Sequence, residues 1–365
     1  MAIGQYQQGD ENKIVGLLET VFDGWPHFDL SCSPIDHWRW KYEDNPLGMR
    51  AITVGKIGNK VVSCTHGFYL RAKVGEESLM AEQGTDLAVD KGYRGSGLYQ
   101  KMIDFNLALN KKKHVDMDYW LSNNPVVIKN SQRNNYPQFP HAVRHMIKIR
   151  DIDLHVKMAH SENKIAKKYG YITLKTLNQS KNSLFPPNAG RPTLNFEISE
   201  ITRFDSGIET FWNEVKNKYS FIIERDLNYL KWRYCDRRGG EYAIREASDR
   251  GRILGYSVLR INRYNREYPE GFIVDLLTLP DRLDVADALV RDADEYFSEK
   301  NINIVHSLAI EGHKYSRLLK RRSFFRHYVK DILFYAPLRA LGGIRDFKAA
   351  PSDKLHFMWG DLDWI

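Results

Sequence analysis

Thr85-Asp86-Leu87-Ala88-Val89-Asp90-Lys91-Gly92-Tyr93-Arg94-Gly95-Ser96-Gly97-Leu98-Tyr99 is the most informative stretch of the chain. An apolar strand ends at Val89, a short polar turn follows, and Arg94-Gly95-Ser96-Gly97 opens a helix that runs to Asn110. The first backbone N–H groups of any helix lack intrahelical partners, and the helix dipole adds partial positive charge there. Glycines let an anion approach that backbone without a Cβ in the way. Arg94 adds a fixed cation. The stretch is not a dinucleotide fingerprint, because the third glycine of GxGxxG is missing. Nor is it a Walker loop, because no Gly-Lys-Ser/Thr follows.

The surrounding chain repeats this grammar. Trp40-Lys41-Tyr42 matches Trp232-Arg233-Tyr234, and Ala51-Ile52 matches Ala243-Ile244. Tyr69-Leu70-Arg71 faces Val258-Leu259-Arg260, and Thr85-Asp86-Leu87 faces Val274-Asp275-Leu276, in the same order. The order argues for two copies of one unit, 1–150 and 196–340, with an extension at 151–195 and a tail at 341–365. The Pro- and Gly-rich stretch from Ser183 to Pro192 reads as the linker. Each copy opens with a helix (Glu11 to Phe22; Gly207 to Lys218). Strands at Arg50–Lys56, Lys60–Leu70 and Leu79–Val89 follow an aromatic helix, with Gly58-Asn59 as a hairpin turn. Helix, strand and helix complete the unit. This pattern predicts an α/β protein of two tandem domains, each a mixed twisted sheet flanked by helices.

The segment from Thr85 to Tyr99 resembles motif A of the GNAT superfamily of N-acetyltransferases, in which Arg/Gln-x-x-Gly-x-Gly/Ala follows the fourth strand. Here the six positions read Arg94-Gly95-Ser96-Gly97-Leu98-Tyr99, with Tyr99 in place of the usual small residue. The resemblance implies acetyl-CoA as cofactor, its pyrophosphate held by Arg94 through Tyr99. It implies that the backbone of Leu87, Ala88 and Val89 pairs with the pantetheine arm, and that Asn123 bonds the pantetheine amides. The second copy reads Leu279-Pro280-Asp281-Arg282-Leu283-Asp284 at the matching place, with no Arg-Gly-x-Gly. Its aspartates repel phosphate, so only the first copy is expected to hold the cofactor.

Acetyl transfer to an amine needs a proton acceptor, a donor for the thioester oxygen and an acid for the thiolate. Glu82 and Asp86 are the candidate bases; strand alternation places them on one face. Tyr136 is the candidate acid. Trp38, Trp40 and His66 are candidates for the acceptor pocket, and Asp361 and Asp363 on the aromatic C-terminal tail for binding the amine. Trp40 and Tyr42 also read as core aromatics, because they recur as Trp232 and Tyr234. The resemblance implies an N-acetyltransferase acting on a primary amine of a small molecule, with amino sugars of surface polysaccharide first among acceptors. A peptidoglycan-bridge-like aminoacyl or acyl transferase and a non-catalytic binding protein are the alternatives.

Bulk composition agrees with two globular units. The chain has 365 residues, 42% hydrophobic and 27% charged, with a formal net charge of +8. The Lys and Arg residues are dispersed, and no basic stripe with interleaved aromatics suggests nucleic acid. Three cysteines, Cys32, Cys64 and Cys235, show no metal or disulfide spacing, so no metal is expected. No apolar run is long enough to span a membrane. A cytoplasmic monomer or homodimer is the expectation.

Overall fold

The computed structural model describes residues 1–49, 51–158, 195–327 and 331–364. The linker from Ser183 to Pro192 and Arg50 lie outside the described residues. Along the first half run β1 (Ala2–Gln5), α1 (Glu11–Phe22), α2 (Pro34–Tyr42), β2 (Ile52–Ile57), β3 (Lys60–Val74), β4 (Glu77–Val89), α3 (Leu98–Lys112), β5 (Met117–Ser122), α4 (Pro125–Arg133), β6 (Val143–Ile149) and α5 (Ile152–Met158). The second half follows with β7 (Glu197–Ile201), α6 (Gly207–Val215), β8 (Phe221–Ile223), α7 (Leu227–Cys235), β9 (Ala243–Asp249), β10 (Arg252–Asn262), β11 (Glu270–Thr278) and α8 (Leu283–Glu299). It closes with β12 (Ile304–Ile310), α9 (Lys314–Arg321), β13 (Phe325–Arg326), β14 (Ile332–Pro337) and α10 (Ile344–Ala349).

Local chemistry sets these limits. Ser33 caps α2, with Pro34 in its first turn, and Asp226 caps α7. Lys111 and Lys112 occupy the last turn of α3, where cations complement the dipole. Gly58, at φ 56°, and Asn59 form the turn between β2 and β3. The two halves then build two mixed sheets with matching order. One runs β1-β2-β3-β4-β5-β14 and the other β7-β9-β10-β11-β12-β6-β13, with β4–β5 and β11–β12 as the parallel pairs.

The halves are not self-contained at 1–150 and 196–340, as sequence boundaries suggest. β6, from the first half, pairs with β12 in the second sheet, while β14, from the second half, pairs with β5 in the first. Each half thus lends its last strand to the other. β8 adds to the far end of β3, and one apolar core, from Phe68 and Leu79 to Leu289 and Phe357, runs through both halves. The tail at 341–365 is part of that core: Leu355, Phe357, Met358, Trp359 and Leu362 are buried. It forms a helix and short turns.

An approximate two-fold axis passes between Trp40 and Trp232. The Trp40 indole N–H donates to the Trp232 carbonyl (3.1 Å), and the Trp232 indole N–H donates to the Trp40 carbonyl (3.2 Å). The rings stack at 4.9 Å. Both edges are satisfied while the faces bury apolar area. Trp40→Ala should destabilise the chain by about 3–5 kcal/mol. Trp40→Phe, which keeps a ring but loses the donor, should cost about 1–3 kcal/mol. Urea titration of both variants checks this order.

Candidate active site

The Arg94 loop forms as its sequence predicts. A short 3-10 turn over Lys91–Tyr93, capped by the Asp90 side chain, turns the chain out of β4. Gly95 and Gly97 lie at φ 79° and 75°, left-handed conformations that favour glycine. Gly97 is the N-cap of α3 and offers no side-chain cap. Among the described residues, no acceptor meets the backbone N–H groups from Gly95 to Gln100. Residues 94–97 are exposed, and a Cβ on either glycine would meet nothing within 4 Å. The Arg94 Nε–H donates to the Val89 carbonyl (3.2 Å), which ties the guanidinium to the strand end. Tyr99, the departure from the family pattern, is half-buried and bonds Asn130 on α4, away from the loop. A fan of unpaired N–H groups beside a cation is an anion bed.

β4 and β5 pair only at Ala81–Met117, Glu82–Asp118 and Gln83–Tyr119, then part. Gly84 through Leu87 are only half-buried although β4 is central in its sheet. This V-shaped gap is the candidate cleft. Leu87, Ala88 and Val89 line β4 above it, and the Asn123 side chain sits past the end of β5, donating to Asp331 (3.1 Å).

A bulge sets what each face of β4 shows. Pairing with β3 breaks between Cys64 and His66, and Asp86 sits at φ 45°. Alternation fails there, so Glu82 and Asp86 do not share a face as the pattern predicts: an extra residue rotates Asp86 to the side of Gln83 and Thr85. Glu82 faces α3 and is fully buried, with Asn106 donating to it at 3.0 Å and Asn110 donating as well. Gly67 makes room, since a Cβ there would collide with the Glu82 carboxyl. Burial first, then the Asp118 charge, pushes the Glu82 carboxyl well above its usual range. Glu82 is therefore a neutral, sealed group under α3.

Asp86 is the ionised one. Burial alone would raise its pKa, but Lys41, then His66 and Tyr42, pull it down to about 2. The Lys41 ammonium lies 2.9 Å from Asp86 and 2.7 Å from Asp363. Tyr42 donates to Asp86, as does the Trp25 indole at 3.0 Å. Asp363 also accepts from Gln83 (2.6 Å) and Thr85. The tail thus brings Asp363 to this face of the cleft, whereas Asp361 turns to Arg225, at 2.6 Å, in the second half. Trp38 is buried, its indole donating to His66 Nε2 (3.1 Å); burial drives the His66 pKa to about 4, so the ring stays neutral. Trp40 lies on the two-fold axis, not in an open pocket: both ring faces and the indole N–H are already engaged. Tyr136 follows α4 and stands edge-on to Trp120 at 5.0 Å. Burial, then Asp118, raises its hydroxyl pKa.

No protein-family profile and no curated protein matches the sequence. Solved structures do match. A conserved protein from Enterococcus faecalis, described as a probable N-acyltransferase, aligns at TM-score 0.61 and 12% identity, over 92% of this chain and 72% of its own. A GCN5-related N-acetyltransferase from Anabaena variabilis aligns at 0.61 and 11%, over 93% and 73%. Saccharomyces cerevisiae N-myristoyltransferase, solved with bound myristoyl-CoA and inhibitors, aligns at 0.58 and 10%, over 92% and 79%. The chain has the GNAT fold. Two GNAT-like units share one body, and the strand exchange joins them.

Only the first GNAT unit is open. In the second, β11 and β12 also pair for three residues and part, but residues 273–279 are all buried. The tail fills the gap. His356 donates from Nε2 to the Leu276 carbonyl (3.0 Å), at the strand position that corresponds to Leu87. Trp359 packs edge-on to Phe272. The corresponding loop is spent on itself: Arg282 pairs with Asp284 (2.8 Å), and Lys314 donates to the Pro280 carbonyl (2.6 Å). The missing loop glycines were legible in the sequence; the plug was not, because no local pattern tells where a tail docks.

Sequence reasoning also missed Lys41 and Asp118. Lys41 matches Arg233 in the repeat, and the match names no partner for either. Asp118 sits inside an apolar strand and is buried at the closed end of the gap, one pair before the strands part. Among the described residues no group of His, Cys, Asp or Glu is arranged to hold a metal ion, and no helix is long and apolar enough to cross a membrane.

The folded-state pKa of Asp86 lies below its unfolded value near 3.9. The stability from this ion pair is therefore complete above about pH 4 and fades as pH falls toward 2. Asp86→Asn should cost about 2–5 kcal/mol at pH 7. The difference from the native chain should shrink between about pH 4 and pH 2. Urea unfolding across that range is the check.

Proposed function

We propose that the chain is an acyl-CoA-dependent N-acyltransferase that uses acetyl-CoA and a primary amine of a small molecule. The observation that carries this reading is the pairing of two features. An uncapped helix start with unpaired N–H groups from Gly95 to Gln100 lies beside a strand gap that is open in one half alone. The anion bed suits a pyrophosphate, and the gap suits an extended arm that pairs with a strand edge.

In this reading Arg94 and the backbone of Gly95, Ser96, Gly97, Leu98 and Tyr99 hold the pyrophosphate. The backbone of Leu87, Ala88 and Val89 accompanies the pantetheine arm, and Asn123 marks its outer lip. The bound cofactor supplies an activated acyl group. The protein supplies orientation, N–H groups along β4 for the developing oxyanion, and carboxylates that favour an amine. Asp86 and Asp363 form the anionic face for that amine, with Lys41 occupying it in the resting chain. Amino sugars lead the acceptor screen, because they combine a primary amine with hydroxyls that can bond such a face.

Calorimetry with acetyl-CoA tests the reading. The native chain should bind with one site. Arg94→Ala should weaken binding by about tenfold, the effect of losing one charge-assisted contact. Gly97→Val should weaken it further, because a β-branched residue cannot hold that left-handed φ without strain. Absence of binding by the native chain would overturn the proposal.

A further inference from the structure

The cleft has two faces with different chemistry. Lys41, Asp86 and Asp363 lie on the face toward α2 and the tail. Asp118 lies on the other, beside Glu82 on β4 and in the electrostatic reach of Tyr136. That is also the side of α3, whose N-terminus carries the anion bed. In the acyltransferase reading, a donor seated on that bed would enter the gap from the Asp118 side, and the amine from the Asp363 side.

Asp118 is built for a task that packing does not explain. It is 8% exposed, and its Oδ1 has no hydrogen-bond partner among the described residues. Across from it stands Gly84, where a Cβ would come within 3.5 Å of that oxygen. The pair Glu82–Asp118 is next to the last before β4 and β5 part, so the orphan oxygen sits at the apex of the gap. A buried carboxyl with an unused oxygen is costly unless a ligand completes it.

We propose that Asp118 is the acid that protonates the sulfur as it leaves the acyl group, an assignment that rests on the acyltransferase reading above. The amine nitrogen forms its bond to the acyl carbon, and the carbon–sulfur bond breaks with its electron pair on sulfur. The Asp118 O–H proton passes to that sulfur, giving a free thiol and an Asp118 carboxylate. The attacking nitrogen releases one proton to solvent, and solvent returns one to Asp118, so protons balance over the cycle. Burial raises the Asp118 pKa to about 8, with the backbone N–H groups of Tyr119 and Gly84 drawing it partly back. The carboxyl is thus mostly in its acid form at neutral pH. Glu82 beside it is held neutral by its own burial, so no second negative charge adjoins the leaving sulfur.

The test is carbon-13 NMR of the full chain labelled at aspartate carboxyls, with Asp118→Asn to assign the resonance. Asparagine resembles the protonated acid in shape and charge, so the variant should fold, as a thermal melt will show. The carboxyl should titrate near pH 8 in the chain alone. Added coenzyme A should shift its resonance at pH 7, and desulfo-coenzyme A, which lacks only the sulfur, should not. A midpoint in the ordinary carboxylate range, or the same response to both ligands, would overturn the assignment to Asp118. Failure of both ligands to bind would instead defeat the acyltransferase reading on which it rests.

Discussion

The C-terminal segment carries two aspartates that each meet a buried cation in a different half. Asp363 reaches Lys41 beside Asp86, and Asp361 reaches Arg225 beside Asp275. In both places the strand aspartate is also bonded by the tyrosine of the aromatic helix, Tyr42 or Tyr234. Removing the tail would leave polar groups of both halves without partners inside the core, where each is expensive. Each site sets one cation against two carboxylates. At Arg225, Asp275 stays below its usual range, while burial, against the pull of Arg225, leaves Asp361 near 7. The tail is therefore a structural member of the body.

The same tail makes the halves unequal. Its path from Leu355 to Trp359 lies in the gap of the second sheet, where His356 takes the Leu276 carbonyl. At the first sheet it contributes the Asp361 carbonyl, which accepts from Tyr119 (2.6 Å), and the Asp363 side chain, which accepts from Gln83 and Thr85. Strand exchange through β6 and β14 fixes the halves so that this asymmetry is permanent. A pair of interlocked units with one open strand gap is the outcome. The second unit supports the first by closing its sheet and supplying the tail.

Most of the fold was legible in the sequence, for a physical reason. The Arg94-Gly95-Ser96-Gly97 turn, the helix over Glu11–Phe22 and the turn at Gly58-Asn59 depend on local backbone preferences, which neighbouring residues set. The recurrence of Trp40 at Trp232 revealed the duplicated order before any contact was known. Three features were hidden. The exchange of β6 and β14 is a choice between equivalent sheet edges, which local pattern cannot make. The bulge at Asp86 overturned strict alternation, because the extra residue comes from the registration of β4 on β3. The partners of Lys41 and the place of Asp118 depend on residues far along the chain. The backbone form of the Arg94 turn follows its local pattern; Trp40 lies on the axis, because a repeated aromatic can serve an axis as well as a pocket.

One cleft is open and the other is filled by the chain itself. Hydrogen exchange of the native chain, with and without acetyl-CoA, distinguishes the two. The cofactor should slow exchange at residues 84–89 and 95–100 and leave residues 273–279 unchanged, already slow because they are buried under the tail. Protection by acetyl-CoA at 273–279, or at neither stretch, would contradict it.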